Sequence, residues 1–175
     1  SPTRQAMLLV AWQEFPPMSR VAAPYLKLAG TRIEIANHSK HDTPGGYGVA
    51  PCASTFELVA VPGGTSTKVT LPAGACPARP YWSADGRRFA FANTARDAVE
   101  LWIGDAATGA RKVPGVRLNP MLDGELQWMP DSHALLVKLV PVALRVPSPA
   151  TLRLANARLE QEVGERQRAE GEVRR

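Results

Sequence analysis

An all-β fold is predicted by this sequence: an incomplete β-propeller of about two blades of antiparallel strands, followed by a C-terminal α-helix. Three observations predict it. A unit of aromatic residue, Asp turn and apolar run is written twice, as Tyr81-Trp82-Ser83-Ala84-Asp85-Gly86-Arg87-Arg88-Phe89-Ala90-Phe91 and Gln127-Trp128-Met129-Pro130-Asp131-Ser132-His133-Ala134-Leu135-Leu136-Val137. Trp82 and Trp128, and Asp85 and Asp131, each lie 46 positions apart, the length of one four-stranded propeller blade. A hairpin pattern recurs at nearly the same period, and after residue 149 the composition turns abruptly from β-like to helical.

The 175 residues suffice for a sizeable core, whereas even a four-bladed propeller at this period needs about 184. The sequence therefore reads as part of a larger repeat array, and Ser1 in place of an initiator Met fits a cut or processed start. The organisation expected is a partial propeller over residues 1–149 and a helical, coiled-coil-like tail over 150–175. Two blades would leave apolar seams uncovered, so a marginal or oligomeric protein is expected in isolation.

Taken in order, Met7 to Trp12 reads as a strand stopped by Pro16-Pro17. Thr31 to Ile35 alternates polar and apolar like a half-buried strand. Asn37 to Gly48 is polar and glycine-rich and reads as a loop. It holds His38, His41 and Asp42, whose spacing fits neither a helical zinc pair nor a Cys-rich ribbon, so a solvated loop is expected and no metal. Asn37-His38-Ser39 matches a short and common glycosylation pattern.

Thr55 to Val61, the turn Pro62-Gly63-Gly64 and the return Lys68 to Leu71 form a hairpin. Val99 to Ile103, the turn Asp105 to Gly109 and the return Arg111 to Val113 form another. Aligning Glu57 with Glu100 sets the two 43 positions apart. Asp85-Gly86 supplies a tight turn in which Gly accepts positive φ. Phe89-Ala90-Phe91 and Leu135-Leu136-Val137, apolar on both faces, are expected between neighbouring blades, with Trp82 and Trp128 covering the seams.

Cys52 and Cys76 flank the first hairpin 24 residues apart; a disulfide and two free thiols both remain open, and neither Cys has the close second ligand of a metal site. The net charge of +5 and pI near 9.6 come from scattered Lys and Arg without interleaved aromatics, which disfavours a nucleic-acid partner. The longest apolar stretch, Ala134 to Val146, is broken by Lys138, Pro141 and Arg145 and cannot span a bilayer. From Thr151 to Arg175 a thin apolar stripe near heptad spacing predicts a helix that needs a partner, self-association through 151–175 being one such pairing, with Arg158, Glu162 and Arg166 paired at i,i+4.

Three features together, Phe15-Pro16-Pro17-Met18-Ser19, then Leu26-Lys27-Leu28-Ala29-Gly30-Thr31-Arg32-Ile33, then Trp82 to Phe91, resemble the N-terminal propeller of the prolyl oligopeptidase family. The Leu28 to Ile33 run points to its glutamyl endopeptidase branch. The resemblance covers roughly residues 1 to 149 and implies a serine peptidase parent, periplasmic or secreted. Its propeller would gate peptide access to a hydrolase domain carrying a Ser-Asp-His triad. That domain has no counterpart here: no Gly-x-Ser-x-Gly elbow occurs, and the histidines are His38, His41 and His133. His133 is expected as a surface turn residue. The expectation is therefore a non-catalytic segment with no catalytic residue and no cofactor, its partners being that hydrolase domain and peptide substrates. Ala155 to Val163 and Glu165 to Glu170 are instead similar to the signalling helices of bacterial sensor proteins, which implies the alternative of a sensory or interaction module with a dimerising helix.

Overall fold

The computed structural model describes residues 1–42, 48–105, 109–121 and 126–140. The helical tail expected over 150–175, with its proposed self-association, lies outside the described residues. Most of the described chain is β-structure in small antiparallel sheets, none of them closed. The 4-residue α1 (Met18–Val21) is the only helix among the described residues. No helix among them is long and apolar enough to cross a membrane.

Three sheets follow the order of the sequence. In the first, β1 (Ala6–Trp12) pairs with β4 (Ala53–Ala60), which pairs with β5 (Ser66–Val69). The second is a four-stranded meander of β6 (Tyr81–Trp82), β7 (Arg88–Thr94), β8 (Val99–Asp105) and β9 (Gly109–Arg117). The third contains β10 (Leu126–Trp128) and β11 (Leu135–Val137). Within the β1–β4 connection, β2 (Tyr25–Leu28) and β3 (Thr31–Glu34) form a separate hairpin. Ala29 and Gly30, both at positive φ (46° and 84°), make its two-residue turn, the twist that a tight hairpin requires.

β7 explains why the sheets stack. Its side chains alternate between two cores, as a strand's period of two dictates. Phe89 and Phe91 are fully buried on one side against Phe56, Leu58 and Val69 of the first sheet. The Phe56 ring meets Phe91 edge-on, with centroids 4.9 Å apart at 87°, the arrangement favoured by the ring quadrupoles. On the other side Ala90 and Ala92 join Val99, Leu101, Leu118 and Leu126, with Trp128, Leu135 and Val137 packed against them. Phe89 needs room that its cross-strand partner Gly104 provides: a Cβ on Gly104 would lie 2.4 Å from the ring.

The expectation for Leu135-Leu136-Val137 requires correction. Leu135 and Val137 face the core, but Leu136 is 61% exposed, because no sheet among the described residues covers the outer face of β11. The hairpin alignment also shifts. Ala6 and Arg88 occupy equivalent positions, each closing a turn of the same geometry, and they pair with Ala60 and Asp105. The period is therefore 45, and Glu57 sits at the level of Trp102 rather than Glu100. A slip of two preserves the in-and-out alternation of a strand, so side-chain pattern alone does not detect it.

Glu100 is buried and accepts hydrogen bonds from Asn93 Nδ2, Trp102 Nε1 and Lys112 Nζ. Burial opposes its ionisation, but the bonds from Lys112, Trp102 and Asn93 together outweigh it and hold the carboxyl below its ordinary value.

Two predictions follow from this packing. Phe89→Ala should cost about 3–5 kcal/mol by cavity formation, whereas Leu136→Ala should stay within about 0.5 kcal/mol; denaturant unfolding of both variants checks the contrast. Because the native state lowers the Glu100 pKa, its contribution is complete above the ordinary carboxylate range and is lost as pH falls through the lowered native value. Glu100→Gln should accordingly flatten the acid limb of the stability–pH curve, as read by thermal unfolding across that range.

Candidate functional site

The repeat residues named from the sequence assemble at one end of β7, where they build turns. In Ser83 to Arg88, Ser83 N donates to Arg88 O at 2.8 Å, Gly86 N donates to Ser83 O at 2.9 Å, and Gly86 has φ +67°. In Met129 to Ala134, Met129 N donates to Ala134 O and Ser132 N to Met129 O, both at 2.9 Å, with Ser132 at φ +61°. A third copy precedes β1 and was not legible in the sequence. There the Ser1 amine donates to Ala6 O, Arg4 N donates to Ser1 O at 3.0 Å, and Arg4 has φ +59°.

Each turn docks on the one before it. Asp85 N donates to Ser132 Oγ at 2.8 Å, and the Arg88 guanidinium donates to Ser132 O. Gly86 lies so close to the first turn that a Cβ there would be 2.7 Å from Thr3 Oγ1. Ser83, fully buried, places its hydroxyl 2.6 Å from Asp85 Oδ1 and accepts from Arg88 N at 3.0 Å. The Ser83 hydroxyl and then the Arg87 amide hold the Asp85 carboxyl below its ordinary value. The His133 and Ala134 amides do the same for Asp131.

The tryptophans are half-buried and structural. Trp82 packs edge-on against Phe89, with centroids 5.8 Å apart. Trp128 Nε1 donates to Tyr81 O at 3.0 Å, and Arg88 lies over its ring at 5.3 Å, a cation–π contact that ties the second sheet to the third. His133 is exposed on its turn. Trp82, Asp85, Gly86, Trp128 and Asp131 thus carry architecture, and none presents a nucleophile beside a base.

A second group of polar side chains lies at the other end of β7. Ala95 to Ala98 connects β7 to β8, whereas residues 13–52 connect the equivalent strands β1 and β4. The neck of this insertion is closed by Gln13 N donating to Cys52 O and Ala53 N donating to Pro77 O, both at 2.9 Å. Cys52 and Cys76 are joined there by a disulfide. A cleft of about 570 Å³ opens beside them, with Gln13, Arg20, Glu34, Asn37, Cys76 and Arg96 in its lining.

Arg20 organises the cleft. Its Nη1 donates to Ala50 O at 3.0 Å and lies 3.1 Å from Cys76 Sγ and 3.4 Å from Cys52 Sγ; its Nη2 donates to Glu34 Oε1 at 3.2 Å. Asn37 Nδ2 donates to Glu34 Oε2 and to Ala95 O, fastening the insertion to the second sheet. The buried Asn37 amide is thereby committed, and its sequon offers no free acceptor nitrogen in the folded chain.

The expected solvated loop needs correction at His41. This side chain is 2% exposed, stacks on Tyr25 with centroids 5.0 Å apart, and sets Nδ1 3.4 Å from Glu34 Oε1. Asp42 is drawn in by Arg32 Nε, which donates to its Oδ2 at 2.7 Å. The Tyr25 ring is the platform for both, with His41 stacked on it and the Arg32 guanidinium 5.4 Å from its centroid. Ser39, His41 and Glu34 are the residue types of a nucleophilic triad, but all three are buried and Ser39 Oγ makes no hydrogen bond to a base. Among the described residues no group of three or more His, Cys, Asp or Glu is arranged to hold a metal ion.

No family model matches the sequence. The chain is 30% identical over 159 residues, 84% of its length, to a probable chloroplastic glutamyl endopeptidase of Oryza sativa subsp. japonica. It spans 16% of the length of that relative, and the likeness places it near a peptidase-related family.

The turn copies carry their own test. Ser83→Ala removes a buried hydroxyl serving three polar neighbours and should cost about 1–3 kcal/mol. Gly86→Ala should cost about 1–2 kcal/mol in left-handed strain, with the Thr3 contact added. Ser132→Gly should be near neutral, because relief of its positive φ offsets the lost bond to Asp85. Urea unfolding of the three variants reads the order.

Proposed function

We propose that this chain is a non-catalytic propeller segment of a serine peptidase of the prolyl oligopeptidase type, in its glutamyl endopeptidase branch. The segment acts by sterics: with the remaining blades of the parent it admits flexible peptides to an enclosed hydrolase domain and excludes folded proteins. The observation that carries the reading is the likeness to a glutamyl endopeptidase along 84% of the chain. It is supported by three stacked sheets with a common turn geometry, the arrangement of successive blades. Catalysis then resides in the part of the parent that this sequence does not match.

Two assays test the proposal. The purified 175-residue chain should leave Glu-containing peptides intact, and inhibitor-sensitive cleavage by it would overturn a non-catalytic role. The full parent should cleave short Glu-containing peptides but not a folded protein of the same composition. A parent lacking residues 1–140 should lose that discrimination by size, and unchanged discrimination would remove the gating role.

A further inference from the structure

We infer that the Cys52–Cys76 disulfide is a reducible latch on the insertion, opened by a dithiol reductant that attacks the Cys76 sulfur. Exchange at a disulfide needs an accessible sulfur, a stabilised leaving thiolate and a route for the incoming anion. Both cysteines line the cleft, but Cys52 is 2% exposed whereas Cys76 is half-buried. An incoming thiolate therefore meets Cys76. Arg20 Nη1 stands beside both sulfurs, and a guanidinium in that position favours the thiolate over the thiol.

The chemistry balances without any other component. One thiolate of the reductant bonds to Cys76 Sγ, the Cys52–Cys76 bond breaks, and Cys52 leaves as a thiolate held by Arg20. The second thiol of the reductant, deprotonated, attacks its own sulfur in the mixed disulfide and releases Cys76. Two electrons pass to the protein, the two thiol protons of the reductant go to solvent, and the reductant leaves as its disulfide. The bond from Ala53 N to Pro77 O, between the residues that follow the two cysteines, keeps the two positions close, so oxidation restores the bridge.

The consequence falls on the insertion. Glu34 shares Arg20 with the sulfurs, so new thiolates compete for the guanidinium that fastens α1 to β3. With the covalent tie gone, the remaining fastening to the second sheet is made by Asn37 Nδ2 to Ala95 O and the neck hydrogen bonds. Residues 13–42 loosen, while β7, β8 and β9 keep their packing.

The test uses the full chain and dithiothreitol without denaturant, following thiol release by alkylation and mass, and amide exchange by segment. The native disulfide should open, Arg20→Gln should slow it roughly tenfold and Glu34→Gln should speed it roughly threefold, as leaving-group stabilisation dictates. Arg20→Lys should retain much of the rate. Exchange in residues 13–42 should rise on reduction and fall again on reoxidation. Should Arg20→Gln fail to fold, the wild-type exchange and the acceleration in Glu34→Gln carry the test. Opening only under denaturant, a rate indifferent to Arg20 and Glu34, or reduction that leaves exchange in 13–42 unchanged would each overturn the latch.

Discussion

The burial of β7 on both faces is the constraint on which the rest of the structure depends. A strand so placed has no polar side to give to water, which is why Phe89, Ala90, Phe91 and Ala92 run without interruption. The size difference between its faces sets the spacing on each side. Phenylalanines meet the first sheet, where Phe56 turns edge-on to receive them, and alanines let the third sheet approach closely. Gly104 belongs to the same solution, since its missing side chain is the space that Phe89 fills.

The two ends of this strand have diverged. At its start the chain makes the same six-residue turn before β1, β7 and β11, and each turn rests on its predecessor. Such docking fixes how one sheet follows the next. At its end the second sheet makes a four-residue turn, whereas the first sheet sends out residues 13–52. The buried ion pair of Arg20 and Glu34, the disulfide and the cleft are all there. A scaffold that repeats at one end and varies at the other suits a steric function, because the variable end changes without disturbing the stack.

The repeated turns and the strand periods were legible because they are local. Asp85-Gly86 and Asp131-Ser132 announce a turn in a few residues, and the runs after them alternate or fill as a strand must. The first copy of the turn is hidden because it has Thr3-Arg4 where the second has Asp85-Gly86. The insertion also stretches its spacing from the second copy to 82 positions, from Arg4 to Gly86. Glu57 was set against Glu100 because a two-residue slip leaves the pattern of faces intact. The sequence predicts a solvated His41 because its burial depends on Tyr25 and Glu34 converging on it, a tertiary fact that composition does not encode. Leu136 erred the other way: an apolar residue in an apolar run is not buried unless something covers it.

The measurement closest to the central claim, that three copies of one turn stack in sequence and carry the sheets with them, is a nuclear Overhauser experiment on the labelled chain. Contacts are predicted between the Thr3 side chain and the Gly86 Hα protons, and between the Ser132 Hβ protons and the Asp85 amide. Their presence would establish the Ser1–Ala6 segment as the first turn of the series and the sheets as successive units. Contact between Ser132 and Asp85 without any between Thr3 and Gly86 would contradict it, leaving two repeats and an N-terminal strand of separate origin.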